Sequence, residues 1–392
     1  TTEINISGNR INTDKFLSPI KVQTIDREEI VNKNGESLAS VLQLASGVFI
    51  KSYGGNASLN TISLNGLGSE HTLVLLNGFK LNSSQNAQVD LSSISKDNIE
   101  KIEVMNNGSS SLYGSEAIGG VINIVTRNIH SDKMKLFFNG QLGSYDQKKF
   151  QMRAVKSFDK FSVDLNYSGE SSDNNYEYNY NNGIKYELKE RLNSQYDILN
   201  YTADISYLIS KDSKINLYSE LSEINRNIPG LETGSAPSLT NQKDNNWNNI
   251  AAYENSLSKN LFIKSQLNYQ NNLQNYTNNA LINSYYKNIF LSNSSQINYS
   301  TNNNKFISGY EISYSALYSN ETESDVSRIQ TSLFGISEIN LNDQIRIFPS
   351  VRADNISDID KTVFTGKFGL NINPIKDKKF NIKASAGNNF AS

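Results

Sequence analysis

The chain contains 392 residues, has a formal net charge of -2 and lacks cysteine. The balanced charge gives no basic footprint for nucleic acid, and the lack of cysteine excludes disulfides and thiolate metal sites. No apolar run approaches the ~18–20 residues of a membrane-spanning helix. A membrane β-barrel, which places apolar residues only at alternate positions, stays compatible with this composition. No signal peptide is visible at Thr1, and we expect one to have been removed.

The N-terminal part of the chain combines short strands with short helices. Residues 20–25 alternate as a strand, and residues 26–29, Asp-Arg-Glu-Glu, predict a capping box that opens a helix. A second helix is predicted from Leu38 to Leu44, ending at Gly47. Further strands are predicted at residues 48–50, 61–64, 72–76 and 99–104. The pattern predicts a compact α+β domain with a mixed sheet.

A glycine-rich turn followed by an apolar strand, residues 112–126, closes this part. From about residue 133 the chain changes to long strands with two different faces. In one of them the apolar face carries Phe161, Val163, Leu165 and Tyr167, and the polar face carries Ser162, Asp164, Asn166 and Ser168. Roughly thirteen such strands follow this pattern. Their lengths, near ten residues, suit tilted transmembrane strands.

The connections between these strands alternate in length. Short ones lie at residues 159–160, 211–213, 258–260 and 342–344, and long ones at about 173–197 and 226–245. All the short turns fall on one side of the array, which favours an up-and-down barrel. Because a plugged barrel has ~22 strands, we expect the sequence to be a fragment that lacks roughly nine of them.

Several motifs occur in an ordered series along the N-terminal part. They lie at residues 17–22, 41–48, 73–78, 102–104 and 113–124. Residues 1–127 resemble the N-terminal region of TonB-dependent outer-membrane receptors, and within that family they are most similar to the members that import cobalamin. The resemblance implies an N-terminal α+β plug domain followed by an antiparallel transmembrane β-barrel. We expect an N-terminal segment at residues 1–15, the plug at 16–130 and part of the barrel at 131–392.

The first residues occupy the place of the family's TonB box. This candidate box consists of Glu3, Ile4, Asn5, Ile6 and Ser7. Such a segment pairs with its partner by adding a β-strand, so the resemblance implies TonB, with its ExbB/ExbD energising complex, as a partner. Asn5 replaces an apolar residue common there, which leaves the register open. The alternative is a frayed terminus with β-propensity.

Two turns depart from the family pattern. Residues 64–66, Leu-Asn-Gly, and residues 106–108, Asn-Asn-Gly, stand where Arg-Gly is usual. In the family those arginines pair with barrel glutamates and lock the plug. Because asparagine carries no charge, we expect the lock to be weaker or to be built differently.

By the resemblance, ligand contacts come from two loops at the plug apex. The candidate residues are Tyr53, Gly54, Gly55, Asn56, Ser58, Asn82, Ser83, Ser84, Gln85 and Asn86. Both loops are small, polar and uncharged. An anionic ferric siderophore would favour Lys and Arg, whereas an amide-fringed corrinoid needs neutral hydrogen-bonding groups. The loop chemistry therefore favours a cobalamin-like ligand, with merely solvated turns as the alternative.

No residue pattern predicts catalysis or a bound metal or cofactor. His71 and His130 are the two histidines; neither is placed as an axial haem ligand on an external loop, so both are interpreted as structural. We expect a monomeric, non-enzymatic importer in the outer-membrane lipid of a Gram-negative cell, carrying a small organometallic ligand, cobalamin or a related corrinoid. The alternatives are a ferric siderophore or haem receptor of the same family, or a non-transporting surface barrel such as an adhesin or phage receptor.

Overall fold

The computed structural model describes residues 5–6, 10, 13–14, 17–32, 37–55, 57–181, 183–230, 238–278, 282–375 and 380–391. The chain has two parts. The N-terminal domain comprises residues 17–126, and the C-terminal sheet comprises the strands between residues 135 and 387. Within the described residues, no helix is long and apolar enough to cross a membrane.

The N-terminal domain is a small α+β unit, as the sequence predicts. Ahead of it, β1 (Asn5–Ile6) pairs with β2 (Thr13–Asp14). Its strands are β3 (Val22–Ile25), β4 (Val48–Ser52), β5 (Asn60–Leu64), β6 (Thr72–Leu76), β7 (Phe79–Lys80), β8 (Ile99–Met105) and β9 (Gly120–Thr126). Its helices are α1 (Arg27–Asn32), α2 (Leu38–Leu42) and α3 (Ser110–Tyr113), with 3₁₀ turns at Ser69–His71, Leu91–Ser93 and Lys96–Asn98. The main sheet has the order β3-β8-β9-β6-β7; it is mixed, because β6 and β9 run parallel.

Local sequence signals explain where the helices begin and end. The Asp26 amide donates to Glu29 Oε2 and the Glu29 amide donates to Asp26 Oδ1, both at 3.0 Å, so the predicted capping box is present. Helix α2 ends earlier than predicted, at Leu42, and the chain turns through Gly47 at a φ of +78°. This left-handed conformation is one that glycine adopts without strain.

The core of the N-terminal domain lies on both faces of the main sheet. Leu42, Ile102 and Ile122 are fully buried there. Strand β9 begins at Gly120, where φ is +141° and a Cβ atom would lie 2.3 Å from the Met105 carbonyl oxygen. The glycine-rich turn is therefore required for β9 to lie beside β8.

The C-terminal sheet has thirteen antiparallel strands in chain order, which confirms the predicted number. They are β10 (Lys135–Leu142), β11 (Lys148–Ser157), β12 (Phe161–Ser172), β15 (Tyr196–Leu208), β16 (Ser213–Ile228), β17 (Thr240–Ser258), β18 (Leu261–Asn278), β19 (Ile282–Ser300), β20 (Asn304–Ser319), β21 (Val326–Asn340), β22 (Ile345–Ile356), β23 (Lys361–Ile372) and β24 (Ile382–Gly387). A separate hairpin, β13 (Glu177–Asn181) and β14 (Tyr186–Glu190), stands between β12 and β15. Among the described residues, β10 and β24 form no ladder with each other.

Several strands are longer than the predicted ten residues. Strands β17 and β19 each have 19 residues. The predicted long connection 226–245 is wrong in extent, because Ile228 pairs with Thr240 and the ladder continues into the Asn-rich ends. Pairing with neighbouring strands overrides the low β-propensity of asparagine there. The predicted connection 173–197 contains the hairpin β13–β14.

The two faces of the C-terminal sheet follow the predicted alternation, with the polar face inward. Asp164, Asn166 and Ser168 are buried, whereas Leu333 and Phe364 are 63% and 71% exposed on the outer face. Strands from β11 to β24 contact the N-terminal domain, as Lys149 of β11 does at Asp97 and Ser385 of β24 does at Asn107, so the sheet wraps around it. An apolar exterior around a polar interior is typical of a transmembrane β-barrel.

Candidate functional site

The first apical segment, residues 53–58, connects β4 to β5. Its loop is closed by the Tyr53 amide, which donates to the Leu59 carbonyl at 3.0 Å, and by Ser52 Oγ, which donates to the Gly54 carbonyl at 2.9 Å. The Tyr53 ring is 56% exposed. Asn56 lies outside the described residues. Tyr53 thus presents an aromatic face beside a stretch of exposed backbone.

The second apical segment, residues 82–86, follows β7. Asn82 is buried; its Oδ1 accepts from the Val74 amide at 2.8 Å, and its Nδ2 donates to the Thr72 and Ala87 carbonyls at 2.9 and 2.7 Å. Its side chain therefore shapes the loop from inside, and its role as a ligand contact stays a prediction. Ser83 is half-buried and supports the turn, since the Gln85 amide donates to its hydroxyl at 3.1 Å.

The remaining residues of that segment are exposed: Ser84, Gln85 and Asn86. Gln85 Oε1 accepts from Asn288 Nδ2 at 3.4 Å, which brings the loop against the C-terminal sheet. Asn86 Oδ1 accepts from the Gln88 amide at 3.1 Å, and the three side chains lie together at the exposed surface of the domain.

A cluster of tyrosines, which the sequence analysis did not predict, lies next to the first apical segment. A Cβ atom on Gly55 would lie 3.0 Å from Asn174 Nδ2 and 3.6 Å from the Tyr176 ring. The Tyr176 ring lies edge-to-face with Tyr145 and Tyr178, at centroid distances of 6.3 and 6.4 Å. The repeated tyrosines in residues 176–180 were the feature of the sequence that could have predicted this cluster.

Two cations stand at the edge of this region, although the apical segments contain none. Lys51 Nζ lies 4.6 Å from the centroid of the Tyr53 ring. The Arg191 guanidinium lies 5.7 Å from the Tyr178 ring and donates to the Gly230 carbonyl at 3.2 Å. Both cations therefore cover aromatic faces.

Several contacts hold the domain inside the sheet. In three of them a lysine or arginine of the sheet pairs with an oxygen atom of the domain. Lys149 Nζ lies 3.0 Å from Asp97 Oδ2, and Lys367 Nζ donates to the Gly108 carbonyl at 2.7 Å. Arg226 Nη2 donates to Asp90 Oδ2 at 2.8 Å. The attachment is therefore built differently from the plug-arginine lock that the resemblance implies.

Comparison with known proteins identifies this arrangement. Residues 14–121 match the family model of the TonB-dependent Receptor Plug Domain. The N-terminal domain therefore belongs to this plug-domain family of the TonB-dependent receptors. It is accordingly called the plug, and the C-terminal sheet is barrel wall.

Relatives of the chain include curated vitamin B12 transporters. The chain is 31% identical over 147 residues to the vitamin B12 transporter BtuB of Vibrio cholerae serotype O1, covering 38% of this chain and 24% of the relative. It is 26% identical over 269 residues to BtuB of Vibrio vulnificus, covering 63% of this chain and 43% of the relative. The matched region thus spans less than half the length of these relatives.

A solved structure extends the likeness to the whole chain. The ferric citrate transporter FecA in its unliganded form superposes with a TM-score of 0.76 and 15% identity, covering 100% of the receptor and 66% of FecA. At this identity the likeness shows the fold alone.

The candidate TonB box precedes the plug. Asn5 and Ile6 form β1, paired with Thr13 and Asp14; Glu3, Ile4 and Ser7 lie outside the described residues. The Arg10 guanidinium, which follows, forms an ion pair with Glu311 of β20.

Arg10 also packs between Tyr113 of the plug and Phe334 of β21. Its guanidinium lies 4.9 Å from the Tyr113 ring and 4.4 Å from the Phe334 ring. Burial raises the pKa of the Tyr113 phenol above its ordinary value, although the nearby Arg10 charge opposes the shift. The phenol therefore stays protonated, and Arg10 keeps its negative partner in Glu311.

A cavity of about 620 Å³ separates the plug from strands β17–β22. Its charged lining includes Lys80, Lys101 and Glu116 of the plug and Glu254, Lys264 and Arg352 of the wall. Neither apical segment lines it. The cavity is therefore distinct from the candidate ligand site, and its mixed charges favour water as its content.

Proposed function

We propose that the receptor binds a corrinoid of the cobalamin type at the plug apex and imports it across the outer membrane. The observation that carries the proposal is the uncharged composition of the two apical segments; the nearby cations of Lys51 and Arg191 lie against tyrosine rings at the edge. The two apical segments contain no Lys or Arg, and Gly55 brings exposed backbone to the Tyr176 ring. A bulky, amide-fringed ligand can exchange neutral hydrogen bonds with such loops and pack on tyrosine faces.

The likeness to vitamin B12 transporters supports this ligand class. It extends over 269 residues in the Vibrio vulnificus relative, so it includes part of the wall as well as the plug. The FecA likeness, at 15% identity, supports the fold only. A ferric siderophore is the competing ligand of the same family, and it would require a cationic apex.

Energy for import would come through the N-terminal segment. In this proposal Glu3–Ser7 adds a strand to TonB, which the ExbB/ExbD complex energises, and the pull shifts the plug. The apolar outer face of the wall faces outer-membrane lipid, with the protein working as a monomer. The proposed ligand contacts remain Tyr53, Gly54, Gly55, Ser58, Ser83, Ser84, Gln85 and Asn86, and Asn56 and Asn82 stay predictions.

Equilibrium dialysis on the purified full-length protein in detergent tests the ligand class. Cyanocobalamin and a ferric triscatecholate are compared at equal concentrations. Trp247 is not a suitable reporter, because it lies on the outer face, where its indole Nε1 donates to Ser219 Oγ at 3.1 Å. We expect cyanocobalamin to bind and the ferric complex not to bind. Binding of the ferric complex alone would contradict the corrinoid assignment.

A further inference from the structure

Arg226 lies on the inward face of β16 and is 4% exposed. Its Nη1 donates to the Ala57 carbonyl at 2.9 Å and to Ser92 Oγ at 3.0 Å. Its Nη2 donates to Asp90 Oδ2 at 2.8 Å and to Asp244 Oδ2. One buried guanidinium thus contacts four acceptors, which a planar fork of donors can do and a single ammonium cannot.

The three plug acceptors belong to both sides of the candidate ligand site. Ala57 is part of the first apical segment, and Asp90 and Ser92 follow the second. Asp90 also accepts from the Asn60 amide at 3.2 Å and from the Ser92 amide at 3.0 Å. Arg226 and Asp90 therefore join Ala57 of the first segment to the chain that begins four residues after the second segment ends.

The fourth acceptor fixes Arg226 to the wall. Asp244 Oδ1 accepts from Gln242 Nε2 at 3.0 Å and from Gln274 Nε2 at 3.1 Å. These residues lie on β17 and β18, so three neighbouring strands hold the guanidinium in place. A buried charge with this many partners favours one arrangement of the surrounding groups, because each partner loses a strong hydrogen bond if it moves.

We infer that Arg226 is a positioning residue that holds the two apical segments as one unit. A ligand that contacts one segment then also affects the conformation of the other. The ligand's identity rests on the proposed function, whereas the coupling of the segments does not. Their joint attachment is a property of the ligand-free protein and is measurable there.

Arg153 provides a matched control. It is 2% exposed on β11 and pairs with Asp164, its Nε donating to Asp164 Oδ1 at 2.8 Å. Its contact with the plug is a 3.5 Å hydrogen bond from Nη2 to the Arg127 carbonyl, away from both apical segments. Arg153→Met therefore removes an equally buried arginine of the wall without touching the apex.

Two spin labels report the coupling without ligand. Because the chain lacks cysteine, Ser58→Cys and Ser84→Cys introduce unique labelling sites, one in each segment. In the purified protein we expect a narrow distribution of label-to-label distances. Arg226→Met should broaden it, Arg226→Lys should broaden it less, and Arg153→Met should leave it narrow. A narrow distribution in Arg226→Met, or equal broadening in Arg153→Met, overturns the inference.

Cyanocobalamin binding supplies the second measurement. We expect its affinity to fall about tenfold in Arg226→Met and to change less than about twofold in Arg153→Met. If the wild type does not bind cyanocobalamin, the proposed ligand is wrong and the spin-label result alone decides the role of Arg226. If Arg226→Met does not fold, Asp90→Asn replaces it, since that variant leaves Arg226 paired with Asp244. A narrow distribution in Asp90→Asn then counts against the inference.

Discussion

The side-chain amide of Asn65 donates to the main-chain carbonyl of Asn106 at 2.9 Å and so joins the two Asn-Gly turns of the plug. The same Nδ2 donates to the Gly119 carbonyl at 2.9 Å. Asn106 Nδ2 in turn donates to the Ser46 carbonyl at 2.9 Å. These asparagines stabilise the plug internally. Lys149, Arg226 and Lys367 of the wall attach the plug to the barrel.

Asn65→Ala should therefore loosen the plug. It removes two hydrogen bonds and places alanine at a φ of 55°, which together cost about 2 kcal/mol. Asn65→Gly removes the same bonds without the backbone strain and should cost about 1 kcal/mol less. Thermal unfolding of the two variants measures the difference. Equal stability of Asn65→Ala and wild type would contradict this role.

Gly120→Ala tests the glycine-rich turn. A Cβ atom there would lie 2.3 Å from the Met105 carbonyl oxygen and 2.9 Å from Leu64 Cδ1, so β9 would have to move away from β8. We expect a loss of about 3 kcal/mol in stability of the plug. Gly140→Ala is the control, because a Cβ atom on Gly140 meets nothing within 4 Å. Hydrogen exchange of β8 and β9 measures the effect, and unchanged protection in Gly120→Ala would refute it.

Tyr176→Ala should weaken cyanocobalamin binding. Loss of one aromatic contact is worth about 0.5–1.5 kcal/mol, a threefold to tenfold change in affinity. Tyr186→Ala serves as the control. Tyr186 begins β14 of the hairpin that directly follows Tyr176, and 73% of its surface is exposed. Equilibrium dialysis gives both affinities. Equal losses in the two variants would show that the hairpin acts as a whole and not through Tyr176.

Gly55→Asp distinguishes the ligand classes by charge. An added carboxylate crowds the loop near Asn174, and for a neutral corrinoid it should cost about one hydrogen bond, a threefold to tenfold change. An anionic ferric siderophore should lose much more through repulsion. Gly55→Asn, nearly equal in size, isolates the charge. A corrinoid affinity that falls far more in Gly55→Asp than in Gly55→Asn would count against a neutral ligand.

Deleting residues 2–7 tests energy coupling. The segment is proposed to contact TonB and lies outside the ligand site, so binding should persist while uptake is abolished. Uptake of labelled cyanocobalamin into cells is compared with binding to the same cells. Replacing Asp14 and Lys15 with alanine leaves the candidate box intact and is the control. Continued uptake after the deletion would make the box assignment wrong.

Much of the fold follows from local patterns. The capping box at Asp26 and Glu29, the mixed plug sheet and the thirteen strands of the wall were predictable, because periodicity and turn chemistry act over short stretches. The ends of β16 and β17 were not, because asparagine-rich sequence is polar and pairs only when neighbouring strands supply the ladder.

The candidate ligand site was predictable only in part. The position of the two apical loops followed from the resemblance, but the internal role of Asn82 depends on three backbone groups that the loop brings together. The contacts of Arg226 join residues 57, 90, 92 and 244. Such distant pairings leave no periodic signal in a single sequence, so a structure was needed to find them.

The 19-residue strands set the height of the receptor's rim. At ~3.4 Å per residue such a strand is roughly 65 Å long, whereas a ~30 Å hydrocarbon layer crossed at a ~45° tilt uses roughly 42 Å. In the proposed outer-membrane setting, the surplus stands above the lipid as a hydrogen-bonded collar rich in asparagine. An arriving nutrient would then meet a preformed vestibule, and antibodies or phages would find a rigid epitope at the same height.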